Sequence, residues 1–306
     1  MTKTSTGLVG NSFKLGYRFQ RYWDTSMAIA FFSAEVGTGL FLVSYFLDLV
    51  PGMVLGLVIT GTLKPYLHLA HMGVPSRSWR AIMRPDRSWI SRGAISIGVL
   101  ISFGVLYVAN RSLGLDATLG LPASLGALAG YLAVAAALVV MCYQGMAMAH
   151  SDAFTLWASP LVPLVSICYA LTAGVMMALS VGWGALNVQQ QALLSTLAWI
   201  MPVVDLVVVV GILLIAKGKS EGGAFSVEML LHGQYAAHFR NFVLILGLAV
   251  PVVLVAAGGG VRMVMMLATG AMLVGFCVFR VLMFKAAVFE PISHDFAGSI
   301  GLPSAR

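Results

Sequence analysis

Apolar runs long enough to cross a bilayer recur eight times along this chain, and little else could accommodate them. A helix needs about 20 such residues to span the hydrocarbon. The runs fall at about 26–47, 52–71, 93–109, 125–149, 161–181, 193–216, 242–257 and 264–288. Only 9% of the residues are charged, against about 25% in a soluble domain. The strict alternation of a barrel strand is missing. A helix satisfies its own backbone hydrogen bonds in lipid, so helices are the expected solution. The predicted fold is an all-α integral membrane protein of eight transmembrane helices in two four-helix halves, about 24–150 and 157–290. Segments containing glycine, AEVGTGLFLV and ALTAGVMMAL, stand in the leading span of each half. Pro51, Pro122 and Pro160 lie at or just before span starts, where proline is tolerated. Pro65 and Pro202 fall inside spans and predict kinks.

The charges then set the orientation. Lys3, Lys14, Arg18, Arg21, Arg77, Arg80, Arg84, Arg87, Arg92, Lys217, Lys219, Arg240, Lys285 and Arg306 fall on one side of an eight-span arrangement. Arg111 and Arg262 fall on the other. The net charge of +7 therefore describes topology rather than nucleic-acid binding. By the positive-inside rule both termini and the arginine loop face the cytoplasm, across a bacterial or archaeal cytoplasmic membrane. Residues 1–23 are polar and basic and lack the layout of a signal peptide. The loop between the second and third spans, with its five arginines, Trp79 and Trp89, offers a docking surface for an acidic partner or for anionic lipid headgroups. The segment 217–241 is expected to begin flexible and continue as a short amphipathic helix at the interface.

A few ionisable residues interrupt the spans, and such residues are kept in lipid mainly for ion, proton or ligand work. Glu35 is a candidate for proton relay or ligand contact, or else for a structural bond between helices. Gly37 and Gly39 beside it allow close approach of a helix or a flat ligand. Lys64, His68 and His71 are spaced by four and three, which places them on one helical face. A histidine there can hydrogen-bond a quinone carbonyl and pass a proton; the plainer reading is snorkelling toward the interface. Tyr143 and Gln144 sit in the fourth span as quinone contacts or core. His150 and Asp152 end that span near a proton entry route. Asp205 and Arg280 are embedded in the second half, either paired with each other or on a proton path. Cys142, Cys168 and Cys277 form no CxxC pair and read as packing residues, so no iron–sulfur cluster is expected in this chain. His150, His232, His238 and His294 lie at span ends or in loops, so neither haem nor another metal is expected.

The run His71-Met72-Gly73-Val74-Pro75, followed by SRSWRAIMRP and SWISRG, resembles the segment between the second and third spans of the polysulfide reductase membrane subunits (NrfD/PsrC type), a family related to the DMSO reductase membrane anchor. Trp23 ahead of AEVGTGLFL is similar to that family's opening span. The resemblance implies a membrane anchor that holds a quinone, menaquinone or ubiquinone, in its first half near the docking face. A soluble iron–sulfur subunit would dock there, with a molybdopterin-type catalytic subunit beyond it. On this reading quinone contact falls to Trp23, Glu35, Lys64, His68, His71, Arg77, Trp79 and Tyr143, of which Tyr143 lies outside the segments that carry the resemblance. Proton transfer falls to Glu35 and His71, and docking to Arg80, Arg84, Arg87 and Arg92. The chain departs from the family at two points: glycine is frequent where Glu35 stands, and an acidic residue is frequent near His71. Docking on the basic face would place the catalytic subunits in the cytoplasm, whereas many family members carry them outside. A small secondary transporter or channel using Glu35, Lys64, Asp205 and Arg280 is the alternative class.

Overall fold

The computed structural model describes residues 17–290, apart from Leu121 and Gly259. Both chain ends, with Lys3, Lys14, His294 and Arg306, lie outside the described residues. Eight helices are long and apolar enough to cross a membrane: α1 (Thr25–Phe46), α2 (Val50–His71), α3 (Trp89–Leu113), α4 (Ala123–Ala149), α5 (Leu161–Val181), α6 (Val188–Lys219), α7 (Ala236–Gly258) and α8 (Arg262–Lys285). Among the described residues the one extended pairing is an antiparallel bridge between Phe19 and Val288. The chain is thus an all-α, multi-span membrane protein.

Several helices start earlier than their apolar runs because polar caps extend them. Asn187 and Gln190 form a reciprocal capping box that begins α6 ahead of its oily stretch. Ser88 caps α3 by accepting from the Ser91 amide, and Gly114, at φ +61°, ends it in the left-handed conformation. Asp24 caps α1, its carboxylate accepting from the Met27 amide at 3.1 Å and the Ser26 hydroxyl at 2.6 Å. Partial burial pushes this carboxyl up, but the bonds from Ser26, Met27 and His71 outweigh it and hold it at about 2, below the ordinary 3.8. A depressed carboxyl stabilises the fold above its unfolded value and loses that contribution as pH falls through its folded one. Asp24→Ala is therefore expected to cost about 1 kcal/mol near neutrality, the usual size for a lost cap. Thermal melts in detergent should show the gap between variant and wild type narrowing from about pH 4 toward pH 2; a gap unchanged by acid would count against this.

Two spans widen into π-helix, over Ile59–Leu63 and Phe239–Ala249, and each wide stretch ends two residues before a proline, Pro65 or Pro251. Proline lacks the amide that would close the preceding turn, so the discontinuity sits where that bond is lost. One extra residue in a turn rotates the remainder of the helix by about 100° relative to a regular one. In α2 the next residue is Lys64, and it is fully buried.

α1 runs through the middle of the bundle and packs against α2, α4, α5 and α8. One of its faces joins Phe41 to Met53, Leu57, Leu100, Ala133 and Tyr143 of the next three spans. The other joins Phe31 and Leu40 to Tyr169, Met176, Phe276 and Phe279 of α5 and α8. Where α1 crosses α5 the backbones touch: a Cβ built on Gly39 would lie 1.7 Å from the Ala170 carbonyl oxygen, and one on Gly174 would lie 2.3 Å from that of Gly39.

The ends of the bundle sort by charge. At one end Phe289 donates its amide to the Arg18 carbonyl at 2.8 Å, Gln20 donates to the carbonyls of Trp23 and Phe284, and Lys219 donates to that of Ala158. The arginine loop and Lys285 share this end. The other end carries Arg111, paired with Asp48, and Arg262. The segment after α6 differs from the expectation of a flexible start. Lys217 and Lys219 are still helical, and the chain turns at Ser220, which caps a short helix, Glu221–Leu231. One face of that helix is buried through Gly222, Gly223, Ser226, Val227, Met229 and Leu230.

Candidate functional site

The ionisable residues of α1, α2 and α8 converge inside the bundle. Glu35 and Arg280 form a buried ion pair, and Arg280 also donates to the Ser166 hydroxyl of α5 at 3.1 Å. Arg280 is fully enclosed and Glu35 is 2% exposed. This corrects the expected pairing of Asp205 with Arg280: the guanidinium turns toward α1, and Asp205 instead meets Thr172 at 2.7 Å. The face of α8 that carries Arg280 packs on α1 and α5, so Glu35 and Ser166 lie within its reach.

Lys64 lies next to this pair. Its Nζ donates to Gln144 Oε1 at 2.7 Å and sits over the rings of Phe31 at 4.3 Å and Tyr143 at 5.3 Å. Gln144 in turn donates from Nε2 to the Phe31 carbonyl at 3.1 Å, which fixes its orientation. Hydrogen bonding and two ring faces take the place of water around this nitrogen. Glu35 is within electrostatic reach of both Lys64 and Arg280. The interior therefore gathers one carboxylate and two basic groups, an arrangement that favours an additional electron-rich partner.

One turn beyond Lys64, His68 presents its ring to Phe31, centroids 6.1 Å apart. Its Nδ1 is buried and has no hydrogen-bond partner. An unpartnered buried ring nitrogen is costly unless a ligand or water meets it. His71, at the end of α2, pairs through Nδ1 with Asp24 at 3.2 Å. Tyr143 is buried against Gly93, where any Cβ would strike its ring. A recess of about 390 Å³ opens nearby at the basic end, lined by Arg21, Trp23, Asp24, Tyr235, Phe284 and Lys285 among others. Trp23 stacks on Trp157 at 5.3 Å and lies against Phe31 and Phe284. One set of rings thus separates the recess from Lys64 and His68.

The structure therefore brings together Glu35, Lys64, His68 and Tyr143, with Trp23 and His71 toward the basic end. Arg77 and Trp79 lie apart from them, in a 3₁₀ segment (Pro75–Ile82) that contains no buried residue. Arg80 lies over Trp79, and Arg87 pairs with neighbouring Asp86 at 3.1 Å. Arg92 is occupied within the loop: it donates to the carbonyls of Pro85 and Asp86 and covers the Trp89 ring. His150 and Asp152 are exposed at the end of α4. Among the described residues no three His, Cys, Asp or Glu side chains gather in a group that could hold a metal. Sequence reasoning missed Ser166, whose hydroxyl offers no spacing signal. It also left the role of Gln144 open, although a primary amide within an apolar run is itself a signal. No protein-family model matches the chain, and no curated protein sequence matches it either.

Proposed function

We propose that the chain is the quinone-binding membrane anchor of a multi-subunit oxidoreductase, passing electrons between a docked iron–sulfur subunit and the membrane quinone pool with coupled proton transfer. The observation that carries this reading is the partnerless, buried Nδ1 of His68, set beside the Lys64–Gln144 bond and the Glu35–Arg280 pair near the basic end. The resemblance of the Trp23 and arginine-loop segments to the polysulfide reductase membrane subunits supports it.

The residues suit a quinone head. His68 would hydrogen-bond a carbonyl, and Phe31 and Tyr143 would supply flat apolar contact. A bound quinone supplies two-electron, two-proton redox chemistry. The chain's own residues set the polarity around it: Arg280 offsets the charge of Glu35, and Lys64 places a nitrogen donor beside them. His71 and Asp24 form a hydrogen-bonded pair at the mouth, where a proton can pass to or from the basic face. Glu35 is the deeper proton acceptor, its carboxylate held in place by Arg280. On the surface, Arg80, Arg84 and Arg87 would meet carboxylates of the iron–sulfur subunit, where charge complementarity steers docking. This docking places that subunit, and a molybdopterin-type catalytic subunit beyond it, on the cytoplasmic side.

The test is a mild-detergent pull-down of the tagged chain from its native membrane, with mass spectrometry and metal analysis. A cysteine-rich partner carrying iron, with molybdenum or tungsten, is the expected recovery. A stable, metal-free chain alone that moves solute in liposomes would instead establish the transporter reading. Within the complex, Arg84→Glu with Arg87→Glu should release the partner from membranes, with loss of at least ten-fold in co-purification, equivalent to about 1.4 kcal/mol. Unchanged recovery would remove these arginines from the interface.

A further inference from the structure

The second half of the bundle holds its own buried polar group, on α5 and α6, distinct from the residues assigned above to quinone or docking. Asp205 of α6 is fully buried. Its Oδ2 lies 2.7 Å from the Thr172 hydroxyl oxygen, which also lies 2.9 Å from the Cys168 carbonyl oxygen. A threonine hydroxyl has one proton to donate, and a carbonyl can only accept. If that proton goes to Cys168, the contact with Asp205 needs a second proton, and the carboxyl is the group able to carry it. The remaining oxygen, Oδ1, is buried and partnerless, as is the Tyr169 hydroxyl. Tyr169 stands three residues before Thr172, on the same face of α5, and its hydroxyl is within electrostatic reach of Asp205, Arg280 and Glu35. No ion pair to Asp205 is found among the described residues.

We propose that Asp205, Thr172 and Tyr169 form a proton-binding site in the second half of the bundle, with Asp205 carrying the proton at neutral pH. The proton sits on Oδ2 and is donated to Thr172, whose own hydrogen goes to the Cys168 carbonyl. Oδ1 and the Tyr169 hydroxyl are left as the pair through which a proton can be exchanged. The groups facing Asp205 set the response to pH. Cys168 and Tyr169 approach it from α5. The short helix after α6 carries Glu221 and Glu228, and α7 carries His238 and Arg240; all four are exposed near the basic end. Among the described residues no fixed cation is paired with Asp205 to drive the proton off. The site does not depend on the quinone reading, and a transporter would use it equally well.

The test is infrared spectroscopy of the full chain in lipid nanodiscs at pH 7. A carboxylic-acid C=O band is expected in the wild type, shifted when aspartate carboxyl carbons are labelled with ¹³C, and absent from Asp205→Asn. Every other described aspartate (Asp24, Asp48, Asp86, Asp116 and Asp152) reaches solvent, and Asp295 lies outside the described residues, so the labelled spectrum is recorded on an Asp295→Asn background, where an acid band in an apolar setting reports Asp205. The labelled Asp295→Asn chain answers the question even if Asp205→Asn fails to fold. Loss of only carboxylate bands in Asp205→Asn, or a labelled spectrum without an acid band, would overturn the proposal. A carboxylate band that responds to replacing sodium with choline would overturn it in favour of a cation site.

Discussion

An Arg280→Met variant is expected to lose about 3–5 kcal/mol of stability, the usual cost of removing one member of a buried ion pair. The guanidinium is wholly enclosed and touches Glu35 and Ser166 on two other helices. Its removal leaves the Glu35 carboxylate without its paired counter-charge and the Ser166 hydroxyl without its donor. Attraction between the two charges only offsets the cost of removing both from water, so replacing both is far milder. Glu35→Met combined with Arg280→Met should recover most of the loss, and the cycle of four proteins should give a coupling energy of several kcal/mol. Arg280→Lys should fall between, because a single ammonium cannot reproduce the planar fork that serves two partners. Melting curves in one detergent measure all of these. Additive single and double variants would show that the pair is not the contact holding α8 to α1.

Gly39→Ala should prevent the bundle from closing and cost about 3 kcal/mol or more. The added methyl would sit 1.7 Å from the Ala170 carbonyl oxygen and 2.5 Å from the carbonyl carbon. Those are backbone atoms, and no change of rotamer moves them. α1 and α5 would have to separate, which breaks the packing along α1 that joins the two hydrophobic clusters. Gly98→Ala, with open space around its Cβ, is the matched control and should be silent or slightly stabilising. Size-exclusion profiles and melts of the two variants test this. Equal behaviour of the pair would mean that α1 and α5 tolerate a wider crossing.

The spans were legible because apolarity and length leave few alternatives in lipid, and the basic end because lysines and arginines cluster in the loops of one side. The helix starts at Ser88 and Asn187 were missed because caps lie outside the apolar runs that defined the spans. The glycine segments AEVGTGLFLV and ALTAGVMMAL stand at matching places in the two expected halves. They prove to be the two sides of one crossing, with Gly39 against Gly174. The partner of Arg280 was not legible: Asp205 and Glu35 were both available, and the choice depends on which faces of α1, α5 and α8 meet. The inward turn of Lys64 was hidden for another reason. Counting by 3.6 residues assumes a regular helix, and the wide turn at Ile59–Leu63 breaks that count one residue before Lys64. Arg92 looked like a free docking charge because a sequence shows the cation but not the loop carbonyls it folds onto.

The bond between Glu35 and Arg280 can form only after the last helix has been made. The two residues are 245 positions apart, so at 5–20 residues per second Arg280 is synthesised about 12–50 s after Glu35. Through that interval the first helix is already in the membrane with its acid unmatched by its final partner. Lys64 and its partner Gln144 are made long before Arg280, so the polar contacts of the first four spans precede that bond in synthesis. The last helix supplies the guanidinium that pairs with that acid, and with it the contact of α8 on α1.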